Sequence, residues 1–268
     1  MNSACYYITL LVLAASTLTA SLNNINTNAN LEDNTSRIVG GKDAHIAVYN
    51  YQVSLRYKSL FEPEQSYEHI CSGAIYSDII VITAAHCVIG TVPSQFKVVA
   101  GSNYRSDNSG TIVPVKEIIM NENYKPNTAE NDIAILVLGL PLRPNNFTIG
   151  TIDLVKSSPI TGATATITGW RRTKSSLTEV LQVTRVPIVS HDQCKEDHKG
   201  QITDSMFCIN AAGNNDCEGD SGGPVVVNDK LAGILSRQLD CTQPNLPGIS
   251  ADVAHLRNWL LEKIAAYQ

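Results

Sequence analysis

Residues 219–227 read Gly219-Asp220-Ser221-Gly222-Gly223-Pro224-Val225-Val226-Val227. A serine set among glycines marks a turn in which backbone N–H groups can come close to whatever the hydroxyl meets. The residues after the turn decide the fold. Pro224 and three valines favour an extended strand, whereas the G-x-S-x-G elbow of α/β-hydrolases leads into a helix. In that fold the serine also comes first, with Asp or Glu and then His after it. Here the candidate His86 and Asp132 both precede Ser221, so the α/β arrangement is not supported.

Elsewhere in the chain the same short β-rich runs recur. Gln52–Arg56, Ile79–Thr83, Phe96–Ala100, Asp132–Leu138, Ala163–Thr168, Leu181–Val186, Pro224–Asn228 and Lys230–Ser236 are rich in Val, Ile and Thr. Each is bounded by Gly, Pro, Asn or Ser, the signature of strands separated by turns. Many short strands without helical segments between them place the chain in the all-β class. Only the end reads as a helix. Over Val253–Ala266, Leu256, Trp259 or Leu260, and Ile264 fall on one stripe, with Asp252 suited to the N-cap.

The 268 residues are 43% apolar and 17% charged, the balance of a folded globular protein. The formal charge of −5 comes with no basic run, so neither nucleic acid nor an anionic membrane is expected as a partner. Ile8–Ala15 is an apolar run with Ser16, Thr17 and Ala20 after it, which fits a signal peptide over residues 1–21 and is too short to span a bilayer. Residues 22–37 are rich in Asn and Thr with little to bury, and are read as a spacer ending at Arg37. Removal of the signal would take Cys5 with it. Cys71, Cys87, Cys194, Cys208, Cys217 and Cys241 remain, an even set that reads as a disulfide framework in an exported chain. Six cysteines allow fifteen pairings, and spacing does not choose among them. Zinc would want close C-x2-C pairs, which are absent.

Three segments carry chemistry: Thr83–Cys87 (TAAHC), Asn131–Leu136 (NDIAIL) and Gly219–Pro224 (GDSGGP). A serine hydroxyl attacks a carbonyl only when a base removes its proton, and the unperturbed pKa of histidine suits that task. A carboxylate behind the imidazole fixes its tautomer and stabilises the imidazolium. His86, Asp132 and Ser221 supply these groups. The backbone N–H groups of Gly219 and Ser221 are the candidate oxyanion donors.

These segments, in the order His, Asp, Ser, together with Ile38-Val39-Gly40-Gly41 after Arg37, resemble the chymotrypsin/trypsin family of serine proteases over residues 38–268. The resemblance implies two six-stranded antiparallel β-barrels with the active site in the cleft between them, and then the helix at 253–266. The barrels would span roughly 38–150 and 151–252. It implies an inactive precursor with an activation propeptide at 22–37. Cleavage after Arg37 would free the α-amino group of Ile38 to pair with Asp220. It also implies the disulfides Cys71–Cys87, Cys194–Cys208 and Cys217–Cys241. The expected product is a secreted, monomeric endopeptidase without cofactor or metal, acting on proteins or peptides, activated by another protease and open to protein inhibitors. The alternative, a binding or regulatory protein that keeps the fold without turnover, ordinarily goes with loss of a catalytic residue, and all three are present.

The pocket departs from the family. Trypsin-like members carry Asp-Ser before the cysteine of the serine motif; here Asn215 takes the base position and Asp216 the wall. At the entrance, Ser236 matches, but Gln238 stands where the family commonly has glycine. Gly248 keeps one wall open, and Ser250 replaces a larger aromatic. Vertebrate trypsins bind calcium in an acidic loop, but the corresponding Ala100–Gly110 offers only Asp107. Asn34 and Asn146 begin glycosylation sequons, the first lost with the propeptide.

Overall fold

The computed structural model describes residues 41–62, 64–145, 147–170, 177–210, 221–236 and 246–268, all within the unit Ile38–Gln268. The signal and propeptide readings, Asn34 and Asn146 lie outside these residues.

Six antiparallel strands close on themselves: β2 (Gln52–Tyr57), β3 (Glu68–Ile75), β4 (Ile80–Thr83), β5 (Phe96–Ala100), β6 (Thr111–Met120) and β7 (Ala134–Leu138), in the order β2-β3-β4-β7-β6-β5. Closure leaves no strand edge unpaired. Every residue of β4 and β7 is buried, and the two strands are apolar throughout except for Thr83 at the end of β4. Neither β3 nor β6 is among the strands expected from sequence. Polar residues and Gly73 break up β3; that glycine is required because a Cβ there would lie 2.9 Å from Val81 Cγ1. Pro114 interrupts β6, and the ladder tolerates it beside an irregularity between Val115 and Glu117.

The second sheet has the order β1-β9-β8-β11-β12-β13-β10, with β8 (Thr164–Gly169), β9 (Gln182–Pro187), β10 (Met206–Ile209), β11 (Pro224–Val227), β12 (Lys230–Leu235) and β13 (Gly248–Asp252). Its first strand, β1 (Lys42–Asp43), comes from the start of the described chain and lies outside β9. The remaining six strands curve around until Ile188, just beyond β9, bridges Ile209 in β10. Thus the first expected barrel is closed strand by strand, and the edges of the second meet at one bridge. The turn Asn228–Asp229 between β11 and β12 has φ of 49° and 58°, the mirror-image turn geometry that tight hairpins favour.

The main core runs from the closed barrel through Val226, Leu231 and Ile234 of the second sheet to Leu256, Leu260 and Ile264. This is the stripe expected of the last helix, which spans α2 (Arg257–Ile264) and ends in a 3-10 turn, Ala265–Tyr267. The expected cap is corrected. Asp252 Oδ1 accepts from the N–H groups of Ala254 (2.8 Å) and His255 (3.2 Å), so it closes the turn ahead of the helix, whose N-cap position is Leu256. Short α1 (His191–Asp197), also absent from the sequence expectations, is capped by Ser190 and tied to β10 by the Cys194–Cys208 disulfide. Among the described residues no helix is long and apolar enough to cross a membrane.

Candidate active site

His86 lies on a one-turn 3-10 helix, Ala85–Cys87, directly after β4. The disulfide between Cys87 and Cys71 of β3 ties this turn to the barrel wall, as the resemblance implies. Asp132 precedes β7 and is fully buried. A buried carboxylate needs partners, and this one has three. Oδ1 accepts from the backbone N–H of His86 at 2.8 Å. Oδ2 lies 2.7 Å from His86 Nδ1 and accepts from Ser236 Oγ at 2.5 Å. With Nδ1–H turned to the carboxylate, the lone pair of Nε2 is left on the opposite edge of the ring to accept a proton.

Ser221 is reached from the other sheet. Its carbonyl oxygen accepts from Ser72 N–H at 2.7 Å, and the next residue, Gly222, donates to Leu235 O at 2.8 Å. Gly222 has φ of +75°, and a Cβ there would overlap Thr83 Oγ1 and lie 2.6 Å from Ser72 O and 3.1 Å from Cys87 Sγ. That same sulfur is 3.6 Å from His86 Nε2. The residue after Ser221 and the free edge of His86 therefore converge on one disulfide. Only glycine permits this approach.

Ser236, Gly248 and Ser250 are neighbours at the ends of β12 and β13, where Ser236 N–H donates to Ile249 O at 3.0 Å and Leu235 pairs with Ser250. The sequence marks Ser236 only as a pocket residue and gives no local signal of its bond to Asp132, 104 positions away. Ser250 is fully buried, and its Oγ meets no hydrogen-bond partner among the described residues. Arg37, Ile38, Asn215, Asp216, Cys217, Gly219, Asp220, Gln238 and Cys241 lie outside the described residues. The disulfides Cys71–Cys87 and Cys194–Cys208 are both formed.

Among the described residues, the one His/Cys grouping compact enough for a metal ion is Cys71, His86 and Cys87, whose sulfurs are bonded to each other. In the loop after β5, the guanidinium of buried Arg56 donates to the carbonyl oxygens of Arg105 (2.8 Å) and Asp107 (2.6 Å) and to Asn108 Oδ1 (3.2 Å). A side-chain cation already engages those oxygens.

Known proteins resemble this chain over most of its length. The Trypsin family model matches residues 38–260. Trypsin zeta from Drosophila melanogaster is 45% identical over 237 residues, covering 84% of this chain and 84% of that protein. Trypsin eta from the same organism is 38% identical over 237 residues, covering 86% and 90%. Trypsin alpha-4 from Lucilia cuprina is 38% identical over 230 residues, covering 84% and 86%. With a closed barrel joined to a second sheet, a buried aspartate bonded to a histidine, and the residue after a serine packed on the disulfide beside that histidine, the chain belongs to the trypsin family of serine endopeptidases, which act on proteins or peptides.

Proposed function

We propose that this chain is a secreted endopeptidase made as an inactive precursor, with signal peptide 1–21, propeptide 22–37 and a protease domain at 38–268. Ser221 is the nucleophile, His86 the general base and acid, and Asp132 the group that holds the imidazole. The observation that carries this reading is the buried Asp132 carboxylate on His86 Nδ1, with the far edge of the ring facing the disulfide that Gly222 also approaches.

In the first half-reaction Ser221 Oγ bonds to the substrate carbonyl carbon as His86 Nε2 takes its proton. The negative charge on the carbonyl oxygen is held by the N–H groups of Gly219 and Ser221. The C–N bond then breaks, the amine leaves with the proton from His86, and an ester on Ser221 remains. Water repeats the sequence: His86 takes its proton, the ester C–O bond breaks, and the acid is released as Ser221 recovers its hydrogen.

Cleavage after Arg37 by another protease switches the enzyme on. On the family resemblance the new ammonium of Ile38 pairs with Asp220, since a carboxylate taken out of water is costly without a counter-charge. Asn215, Asp216, Ser236, Gln238, Gly248 and Ser250 form the specificity pocket, with Cys217–Cys241 bracing its walls. The enzyme acts as a monomer, without cofactor, and is subject to protein inhibitors.

The deciding experiment is fluorophosphonate labelling before and after cleavage at Arg37. Label on Ser221 only after cleavage is expected, with none in Ser221→Ala and none in uncleaved Arg37→Gln. Equal labelling of the intact precursor would remove the activation step; a cleaved, folded protein that takes no label would remove the catalytic reading. Ser221→Ala should lower peptide hydrolysis by about 10,000-fold or more, the scale on which catalytic triads lose rate when the nucleophile is removed.

A further inference from the structure

The backbone that delivers Asp132 is strained, and a side chain from the second sheet holds it. Asn131 adopts φ of +57°, a left-handed conformation that L-residues other than glycine rarely take and asparagine tolerates best. Two residues earlier, Ala129 has φ of +60°. Between Asn131 and Ile133 the chain folds into a tight turn, with Ile133 N–H donating to Asn131 O at 2.8 Å, so Asp132 sits at its apex. A rotation at Asn131 is thereby passed straight to the Asp132 carboxylate.

The Asn131 amide donates to Ser205 Oγ at 3.2 Å. Ser205 is 3% exposed and lies immediately before β10. Its own carbonyl oxygen accepts from Asp252 N–H at 2.8 Å, and its hydroxyl shares a 3.0 Å hydrogen bond with Thr203 Oγ1. The hydroxyl is thus fixed by the second sheet and offered to the first barrel. On the other side, Asn131 Nδ2 donates to Asn123 O at 3.1 Å. Without the Ser205 hydroxyl, the amide of a strained residue would lose its protein acceptor, and one response is a change in the dihedral that aims Asp132.

We propose that Ser205 is a positioning residue for catalysis: it acts through Asn131 to hold Asp132 in register with His86, and it makes the geometry of the first barrel's two catalytic groups depend on the second sheet. This rests on the reading of Asp132 as the carboxylate behind His86. Misplacements of about an ångström at reacting groups cost on the order of one to two decades in rate, whereas substrate binding is insensitive to them. Removal of the hydroxyl should therefore lower kcat about tenfold and leave KM within about twofold.

A double-mutant cycle separates this role from a merely structural one. Parent, Ser205→Ala, Asp132→Asn and the double variant are cleaved at Arg37, checked for cooperative unfolding and assayed for kcat and KM. The expected result is the tenfold loss from Ser205→Ala when Asp132 is present, and a loss below twofold in the Asp132→Asn background, where there is no carboxylate to aim. An equal loss in both backgrounds, or no loss in either, overturns the proposal and leaves the triad intact. Parental kcat in Asp132→Asn alone would overturn the triad reading and this proposal with it. If Ser205→Ala does not fold, Ser205→Cys, which keeps the shape but offers a weaker acceptor, is carried through the same cycle with the same two outcomes.

Discussion

The backbone N–H of Ser72, in β3 of the closed barrel, donates across 2.7 Å to the carbonyl oxygen of Ser221, in the turn that leads into β11 of the second sheet. Two residues that share no secondary-structure element are thus joined at the position read as the nucleophile. Ser72 is also next in sequence to Cys71, whose disulfide partner adjoins His86. One hydrogen bond and one disulfide therefore span the whole distance from serine to histidine along covalent neighbours. The relative placement of the two groups therefore rests on short-range contacts as well as on the core that the two sheets share.

Gly222→Ala should break this junction. The new Cβ would overlap Thr83 Oγ1 and lie 2.6 Å from the Ser72 carbonyl oxygen, and alanine in a left-handed conformation adds roughly 1–2 kcal/mol of strain. Relief requires the segment carrying Ser221 to move away from Cys87. The expected outcome is loss of fluorophosphonate labelling together with a lower Tm. Labelling at the parental rate would mean that this close approach does not position the serine.

Ser236→Ala leaves Asp132 with its two bonds from His86 and removes the third. A hydrogen bond to a charged group contributes about 1.5–3 kcal/mol, so kcat/KM should fall between about 10- and 100-fold. The loss should arise in kcat, since the bond acts on the carboxylate proposed to hold His86. If it arose in KM alone, the side chain would serve the pocket and not Asp132.

The two formed disulfides close loops of similar size, with sequence separations of 16 for Cys71–Cys87 and 14 for Cys194–Cys208. Their chain-entropy contributions should therefore match, at about 3 kcal/mol each. Their effects on function should not. Replacing both cysteines of a pair by serine is expected to lower Tm comparably in the two cases. Only the Cys71/Cys87 variant should also slow labelling of Ser221 at temperatures where both variants remain folded. Equal labelling rates would show that the disulfide beside His86 is purely a staple.

The pocket calls for a substrate profile. A basic side chain before the scissile bond needs a carboxylate, or its desolvation goes uncompensated. On the family resemblance, Asp216 would offer one from the wall, Asn215 only an amide dipole at the base, and Gln238 would crowd the entrance. Cleavage after Arg or Lys is expected, with lower efficiency and weaker rejection of uncharged residues than an aspartate at the base would give. Cleavage confined to large apolar residues would defeat this, and unchanged cleavage after Arg in Asp216→Ser would acquit Asp216 of the recognition role.

Legibility in the sequence tracks contact range. Phe96–Ala100 can be bounded to the residue because its β-forming residues are contiguous. In β3 the pairing is dictated by neighbours, so a strand containing Glu68, His69, Ser72 and Gly73 forms where local preference is weak. The seven-residue α1 is too short for a helical period to emerge, and its disulfide and cap hold it instead. At the site, the chemical types of His86, Asp132 and Ser221 can be read from three short motifs. Their supporting bonds cannot: Ser236 reads only as a pocket residue, and Ser205 as an ordinary serine, until the fold brings them to Asp132 and Asn131.

The attachment of α2 to the closed barrel should depend on pH. Glu122, just beyond β6, accepts from Lys263 Nζ at 2.5 Å and from Trp259 Nε1 at 2.6 Å. These bonds, that of Lys263 foremost, hold its carboxyl at about 2, below the ordinary 4.5. A carboxyl more acidic in the folded chain than in the unfolded one favours the folded state wherever it is ionised. That contribution is fully present above 4.5 and disappears as the pH falls towards 2. Glu122→Gln should therefore have a lower Tm than the parent at about pH 7, with the difference closing between pH 4.5 and 2. Both partners are partly solvent-exposed, so the effect should be modest and shrink in high salt. A Tm difference that stays constant down to about pH 2 would assign the loss to packing of the Glu122 stem against Trp259 and not to its charge.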